Sequence, residues 1–425
     1  MKILIKGARL IDPKNAIDGR YDVLADGPVI EGISKNIGKV DSRTKIVDAS
    51  GLIVAPGLID VHCHLREPGF EYKETIKTGT MAAARGGFTT VVCMANTDPV
   101  NDSRSVTEFI VDRAHAEGAC KVLPCGAITK GLKGEELSEI GEMFEAGIVA
   151  ISDDGKSVRR AGLLRKALEY AKTFKLPVIS HCEDDTLSGG YVHEGLASLL
   201  SGLEGVPAIA EEIIVGRDIA IARYVDAPIH LTHISTAGSI EIIERARKAF
   251  RKVTCDTCPH YFTLTDEATL TYDTNAKVNP PLRSQEDLEA IKEGLRRGTI
   301  DIIATDHAPH EFTSKDVEFD IASSGISGFE TAFALALSLV HEGVLDMKGL
   351  LAKMTANPAK LLGITSGTLA EGAPADLIVF DPDREWTINK NAFISKGKNT
   401  PFHAMTVKGK NLFTMVDGKI VHDEL

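Results

Sequence analysis

The chain has 425 residues, 43% of them hydrophobic and 25% charged, with a formal net charge of -12. This is an ordinary globular composition with room for a barrel plus a smaller unit, and it excludes a disordered or fibrous chain. The acidic balance leaves no basic excess to neutralise phosphates, which excludes nucleic acid as a partner, and any anionic substrate needs a local positive pocket.

The first fifty residues alternate as short antiparallel strands, "KILIKGARLI", "YDVLADGPVIEGI" and "TKIVDASGLIVAPG", with glycine-bearing turns between them. Lys6 and Arg9 break the first apolar stretch, and no small-residue cleavage site follows. No apolar run approaches the ~18 residues that would span a bilayer. The expectation is a cytoplasmic protein that does not associate with membranes. The seven cysteines, an odd number in a long chain, read as buried thiols and not as a disulfide framework. Cys255 and Cys258 have half the spacing of a zinc ribbon, but no second pair follows.

From residue 52 the pattern becomes strand then helix, repeated. Strand-like segments occur at "LIVAPGLIDVHCHL", "TTVVCMAN", "KVLPCGAI", "GIVAISDD", "LPVISHCE", "APIHLTHIS", "VTCDTCPHYF" and "IDIIATDHAPH". Amphipathic stretches such as "AGLLRKALEYAKTF", "SIEIIERARKAF" and "QEDLEAIKEGLRRG" separate several of them. A doubly wound open sheet is the competing topology. Eight strands alternating with helices favour an α/β (β/α)8 TIM barrel, with its site at the C-terminal ends of the strands. Helices are expected at "FETAFALALSLVHEG" and "DMKGLLAKMTANPAKLLG", after the last strand. The C-terminus then returns to short strands in "GTLAEGAPADLIVFD" and "HAMTVKGKNLFTMVDGKIVHD". Neither end carries enough apolar surface to stand alone. Together they predict one small β domain, residues 1–54 plus 366–425, around a barrel of residues 55–365.

Barrel strands should end in polar residues only where chemistry occurs. Here the first ends in His62 and His64, the second in Asn96, the fourth in Asp153 and Asp154, the fifth in His181. The sixth ends in His233, the seventh in His260 and the eighth in Asp306. Strand side chains alternate faces, so His62 and His64 share the lumen while Cys63 faces the helices. The same parity puts Ala150, Ser152 and Asp154 in the lumen and selects Asp154, with Asp153 as the alternative if the strand end twists. Neutral imidazoles and carboxylates in this number suit zinc or a similar divalent ion. They exceed what one catalytic zinc needs. Two ions sharing a carboxylate fit better, with a bridging hydroxide, its pKa lowered toward ~7, as the nucleophile.

The segments "DVHCHLREPG", "CMANTDPV", "SDDG", "SHCED", "THIST", "CPHYFTLTDE", "VNPPLRS" and "ATDHAPH" together resemble the dihydroorotase family of the barrel amidohydrolase superfamily, in its longer form with flanking β segments. "NPAKLLGI" and "ADLIVFDP" extend the resemblance over nearly the whole chain. The resemblance implies reversible hydrolysis of L-dihydroorotate to N-carbamoyl-L-aspartate, whose reverse closes the pyrimidine ring in biosynthesis. It implies that His62, His64 and Asp306 hold one Zn2+, that His181 and His233 hold a second, and that Asp154 bridges them. Asp306 would be the catalytic acid and base. His64, Arg66, Asn96 and His310 would contact the substrate, the last three at its carboxylate, while Asn279 and the backbone around Ser324 and Gly325 would contact the ring. Ser324 departs from the bulkier or apolar residue common there. His260 is taken as structural or as support to the ligands.

Hydantoinases and allantoinases are the nearest rivals and resemble each other in a carbamylated lysine at the bridging position. Here that position is aspartate, and Lys156 lies two residues on. A non-catalytic scaffold for the carbamoyltransferase that precedes this step is a reading of a different class, but all six ligands are present. A homodimer, and association with that carbamoyltransferase, are expectations at the level of the family. The polar stretch "HEFTSKDVEFDIASSG" is expected to be the lid.

Overall fold

The computed structural model describes residues 1–425. Eight parallel strands form the barrel: Leu58–Cys63, Phe88–Cys93, Lys121–Gly126, Ala150–Ile151, Ile179–Ser180, Ile229–Leu231, Val253–Thr257 and Ile302–Ile303. The first four pair in sequence order, as do the last four. Parallel bridges Ile151 to Val178 and Cys63 to His307 join the two halves, so the sheet closes on itself. The open-sheet alternative is thereby excluded. Helices follow every strand, among them Ile76–Arg85, Arg104–Glu117, Ala161–Phe174, Ile209–Tyr224, Ala237–Arg247 and Gln285–Arg297.

The helices form where local signals and burial agree. In Gln285–Arg297, Ser284 caps the first turn in a capping box with Asp287, while Leu288, Ile291 and Leu295 face inward at helical spacing. No helix is long and apolar enough to cross a membrane. All seven cysteines are buried and free.

The termini meet in one sheet. Its order is Lys419–Asp423, Thr406–Val416, Leu377–Thr387, Ile53–Pro56, Lys2–Asp12, Ile17–Asp26 and Val29–Ser34, with Lys45–Asp48 also on Lys2–Asp12. Parity divides its side chains between two cores. Val54, Leu377 and Val379 join Ile3, Ile5 and Phe413 in the sheet's own core. Ile53, Ala55, Ile378 and Phe380 point the other way, into the barrel's core. Lys121, on the third barrel strand, adds ion pairs of 2.7 Å to Asp376 and to Asp417.

Two sequence expectations change. "LIVAPGLIDVHCHL" is not one barrel strand: Ile53–Pro56 belongs to the terminal sheet and Leu58–Cys63 to the barrel, with only Gly57 between. A Cβ on Gly57 would lie 2.1 Å from Thr89 Oγ1, so the junction passes too close to the second strand for any side chain. "VTCDTCPHYF" stops being a strand at Thr257, and Pro259 opens a 3-10 turn, Pro259–Phe262, that carries His260.

Candidate active site

The polar strand ends converge on a cavity of about 400 Å³ at the C-terminal mouth of the barrel. His62 Nε2 stands 3.2 Å from Asp154 Oδ1 and 3.5 Å from Asp306 Oδ1. His64 Nε2 is 3.1 Å from Asp306 Oδ1 and 3.6 Å from Asp154 Oδ2. On the far side, His181 Nδ1 and His233 Nε2 are 2.8 Å apart and each 3.6 Å from Asp154 Oδ1. Asp154 is thus the carboxylate that all four imidazoles share. Asp153 is turned away and accepts the backbone N–H groups of Ile128 and Thr129, 2.8 and 2.9 Å, with the Thr129 hydroxyl. The strand end keeps its parity.

The rings are oriented from behind. Thr232 donates its hydroxyl to Asp256 at 2.9 Å, so it accepts the Nδ1–H of His62 at 2.6 Å. Asp256 also accepts from His230 Nε2 at 2.8 Å and from the His233 backbone at 2.7 Å. Burial opposes its charge, but these donors hold the carboxyl below its ordinary range. His64 donates Nδ1–H to Asn96 Oδ1 at 2.9 Å. Both Nε2 lone pairs therefore face carboxylates.

A lone pair against an anion is repulsive unless a proton or a metal cation lies between them. Consistent with that, His62 Nε2 and Asp154 Oδ1 are buried without a hydrogen-bond partner. Burial alone would lower the His62 pKa, yet Asp154 and Asp306 raise it to about 10. Burial likewise opposes His181, which Asp154 and Glu183 raise to about 10. The same partners hold Asp154 and Asp306 well below the carboxylate range against their burial. The cluster is built for positive charge, and its donors fit divalent metal. His62 with His64 and Asp306, and His62 with Asp154 and His233, each bring three ligand atoms within 4.8 Å of one another.

At the mouth, Arg66 is half-buried, and desolvation pushes its guanidinium down to about 10. Its Nε donates to Pro309 O at 3.3 Å. His310 gives its Nε2–H to Ser324 O at 2.9 Å, so Arg66 Nη2, 3.3 Å from the same nitrogen, keeps its donors for a ligand. His310 is held neutral, pushed down to about 2 by burial and by Arg66. Asn96, Asn279, Ser324 and Gly325 line the same cavity. Arg66, His233 and Asp306 have φ of +63°, +41° and +44°, left-handed values that non-glycine residues rarely adopt. His260 stands apart: its Nε2 is buried without a partner, and it groups with Cys258 and Asp306.

Sequence reasoning missed Thr232 and Asp256, Glu183 and Lys277. A carboxylate within an apolar strand was the available signal for Asp256. Lys277 donates from Nζ to Phe319 O and Asp320 O at 2.8 and 2.7 Å, fastening the loop over the cavity.

Closed barrel, terminal sheet and polar strand ends define the class: a hydrolase of the amidohydrolase superfamily. Among solved structures, L-hydantoinase (dihydropyrimidinase) from Arthrobacter aurescens superimposes with a TM-score of 0.89 at 25% identity, over 99% of this chain and 96% of that one. Dihydropyrimidinase from Brevibacillus agri shares the fold, TM-score 0.87 at 23% identity, over 100% and 95%. A family profile described as "Dihydro-orotase-like" matches residues 51–239. The dihydroorotase of Syntrophus aciditrophicus is 50% identical over the full length of both chains. That of Geobacter metallireducens is 52% identical over 99% of this chain and 100% of its own. The chain belongs to the dihydroorotase family.

Proposed function

We propose that this cavity hydrolyses L-dihydroorotate reversibly to N-carbamoyl-L-aspartate. One observation carries the reading: a half-buried arginine with free donors faces the same cavity as a cluster of four histidines and two aspartates. His62, His64 and Asp306 would hold one zinc ion and His181 and His233 another, with Asp154 between them. When bound, the ions supply Lewis acidity at a carbonyl and lower the pKa of water.

The chain's own groups do the rest. Arg66 presents a planar fork to the substrate carboxylate, with Asn96 Nδ2 and the His310 edge beside it. Asn279 and the Ser324–Gly325 backbone align the ring. Asp306 takes the proton of the attacking water and returns it to the departing ring nitrogen, and in reverse it serves the carbamoyl nitrogen as the ring closes. Hydantoins lack the carboxylate, and a pocket that leaves Arg66 unpaired should discriminate against them by ~10⁴. The reaction places the chain in pyrimidine synthesis; the working form would be a homodimer in the cytoplasm.

The test is metal content per chain, followed by turnover of L-dihydroorotate with hydantoin in parallel. Near two zinc ions and turnover of dihydroorotate alone support the proposal. Preferential hydantoin turnover would refute the role given to Arg66. Absence of turnover after chelation and zinc reconstitution would leave only a scaffold.

A further inference from the structure

Glu183 lies two residues past His181, where the chain leaves the fifth barrel strand. Its backbone is clamped: Ser157 Oγ donates to His181 O at 2.6 Å and accepts Glu183 N–H at 2.9 Å. Its side chain enters the cavity and uses one oxygen twice. Oε2 is 3.4 Å from His181 Nε2 and 3.1 Å from Asn279 Nδ2.

We propose that Glu183 is a positioning residue that sets, through that single oxygen, both the tautomer of His181 and the amide orientation of Asn279. A neutral imidazole carries one N–H. Donating it from Nε2 to Glu183 leaves the Nδ1 lone pair turned to His233 and Asp154, as a metal ligand requires. Without an acceptor at Nε2, the competing tautomer would present a proton to the cluster. Asn279 meets the mirror-image constraint. One N–H of its NH2 is given to Glu183, which turns its carbonyl to the opposite side of the amide. The pocket thereby offers an acceptor at that point and selects a ligand with an N–H there. The ring amide of dihydroorotate and the ureido group of carbamoyl-aspartate both supply one. Metal retention and ring recognition are therefore coupled at one atom. This rests on the reading of the cavity as a dihydroorotate site.

The experiment compares full-length wild type, Glu183→Ala, Glu183→Gln and Asn279→Ala, all reconstituted with zinc. Zinc retention is titrated with a graded chelator, and KM and kcat for L-dihydroorotate are measured separately. Glu183→Ala is expected to release its weaker zinc at roughly 10–100-fold lower chelator, the usual cost of losing a ligand's outer partner, and to raise KM. Glu183→Gln, whose carbonyl can still accept both bonds, is expected to recover most of both losses. Asn279→Ala is expected to raise KM and leave zinc retention unchanged. If Glu183→Ala fails to fold, Glu183→Met, similar in length and without an acceptor, takes its place. Unchanged zinc retention and KM in the variant without an acceptor would overturn the proposal. Movement of only one of them would overturn the coupling. A wild type inert toward dihydroorotate would refute the proposed function and with it the Asn279 half, while the zinc titration would still decide the His181 half.

Discussion

Asp306 touches His62 and His64 through one oxygen, and the proposed function asks it both to hold metal and to move a proton. Asp306→Asn should lower kcat by ~10²–10⁴, the range of a lost general acid and base. It should leave more zinc bound than the double change His62→Ala with His64→Ala, and metal analysis beside steady-state kinetics would separate the two roles. Arg66→Lys keeps the charge but loses the fork, so KM for dihydroorotate should rise at least about tenfold with a smaller change in kcat. Equal kinetics in the two proteins would remove Arg66 from the carboxylate. Period-two alternation was enough to place His62, His64 and Asp154 in the lumen. It says nothing about hydrogen bonds between strands distant in sequence, which is why the support of His62 by Thr232 and of Asn279 by Glu183 was not legible.

The loop after the eighth strand was expected as a long polar lid. It is tied down by two lysines whose ammonium groups meet backbone carbonyls. Lys315 Nζ donates to Thr274 O at 2.8 Å and Ser323 O at 2.6 Å, and Lys277 reaches the same loop from below. Burial pushes Lys315 down to about 7. Between there and its ordinary value of 10.5 the unfolded chain holds a proton that the folded chain has released, so folding stability rises with pH across that window. The Tm advantage of wild type over Lys315→Met should therefore grow between pH 7 and about 10. A flat difference would mean that the ammonium stays charged in the fold. Gly325 closes this loop at φ +141°, and a Cβ there would stand 2.7 Å from Ala308 O. Gly325→Ala should cost ~1–3 kcal/mol in denaturant unfolding and raise KM, because strain and contact both push the ring-facing backbone aside. Polarity marked this segment as a loop, but the carbonyls that capture the two lysines are invisible to composition.

Across the whole molecule, one face of the terminal sheet shares the barrel's core while the other keeps a core of its own. Phe380 sits on a terminal strand, yet it packs edge to face on Phe333 of a barrel helix, ring centres 4.9 Å apart. Phe380→Ala should destabilise by ~3–5 kcal/mol, and calorimetry of the metal-free protein should show one transition shifted as a whole. A separate low-temperature transition for the sheet would contradict the shared core. Alternation at both ends announced strands at each terminus, but not that Gly57 alone separates the sheet from the strand bearing His62 and His64. That junction constrains the order of assembly. Ile53–Pro56 pairs with Lys2–Asp12 on one side and with Leu377–Phe380 on the other. During synthesis the N-terminal strands can therefore pair with one another, but Ile53–Pro56 keeps an unpaired edge until Leu377–Phe380 emerges and the ribosome has nearly finished the chain. Closing so distant a pairing late makes folding slow, so the nascent N-terminal strands are where chaperones would be needed most.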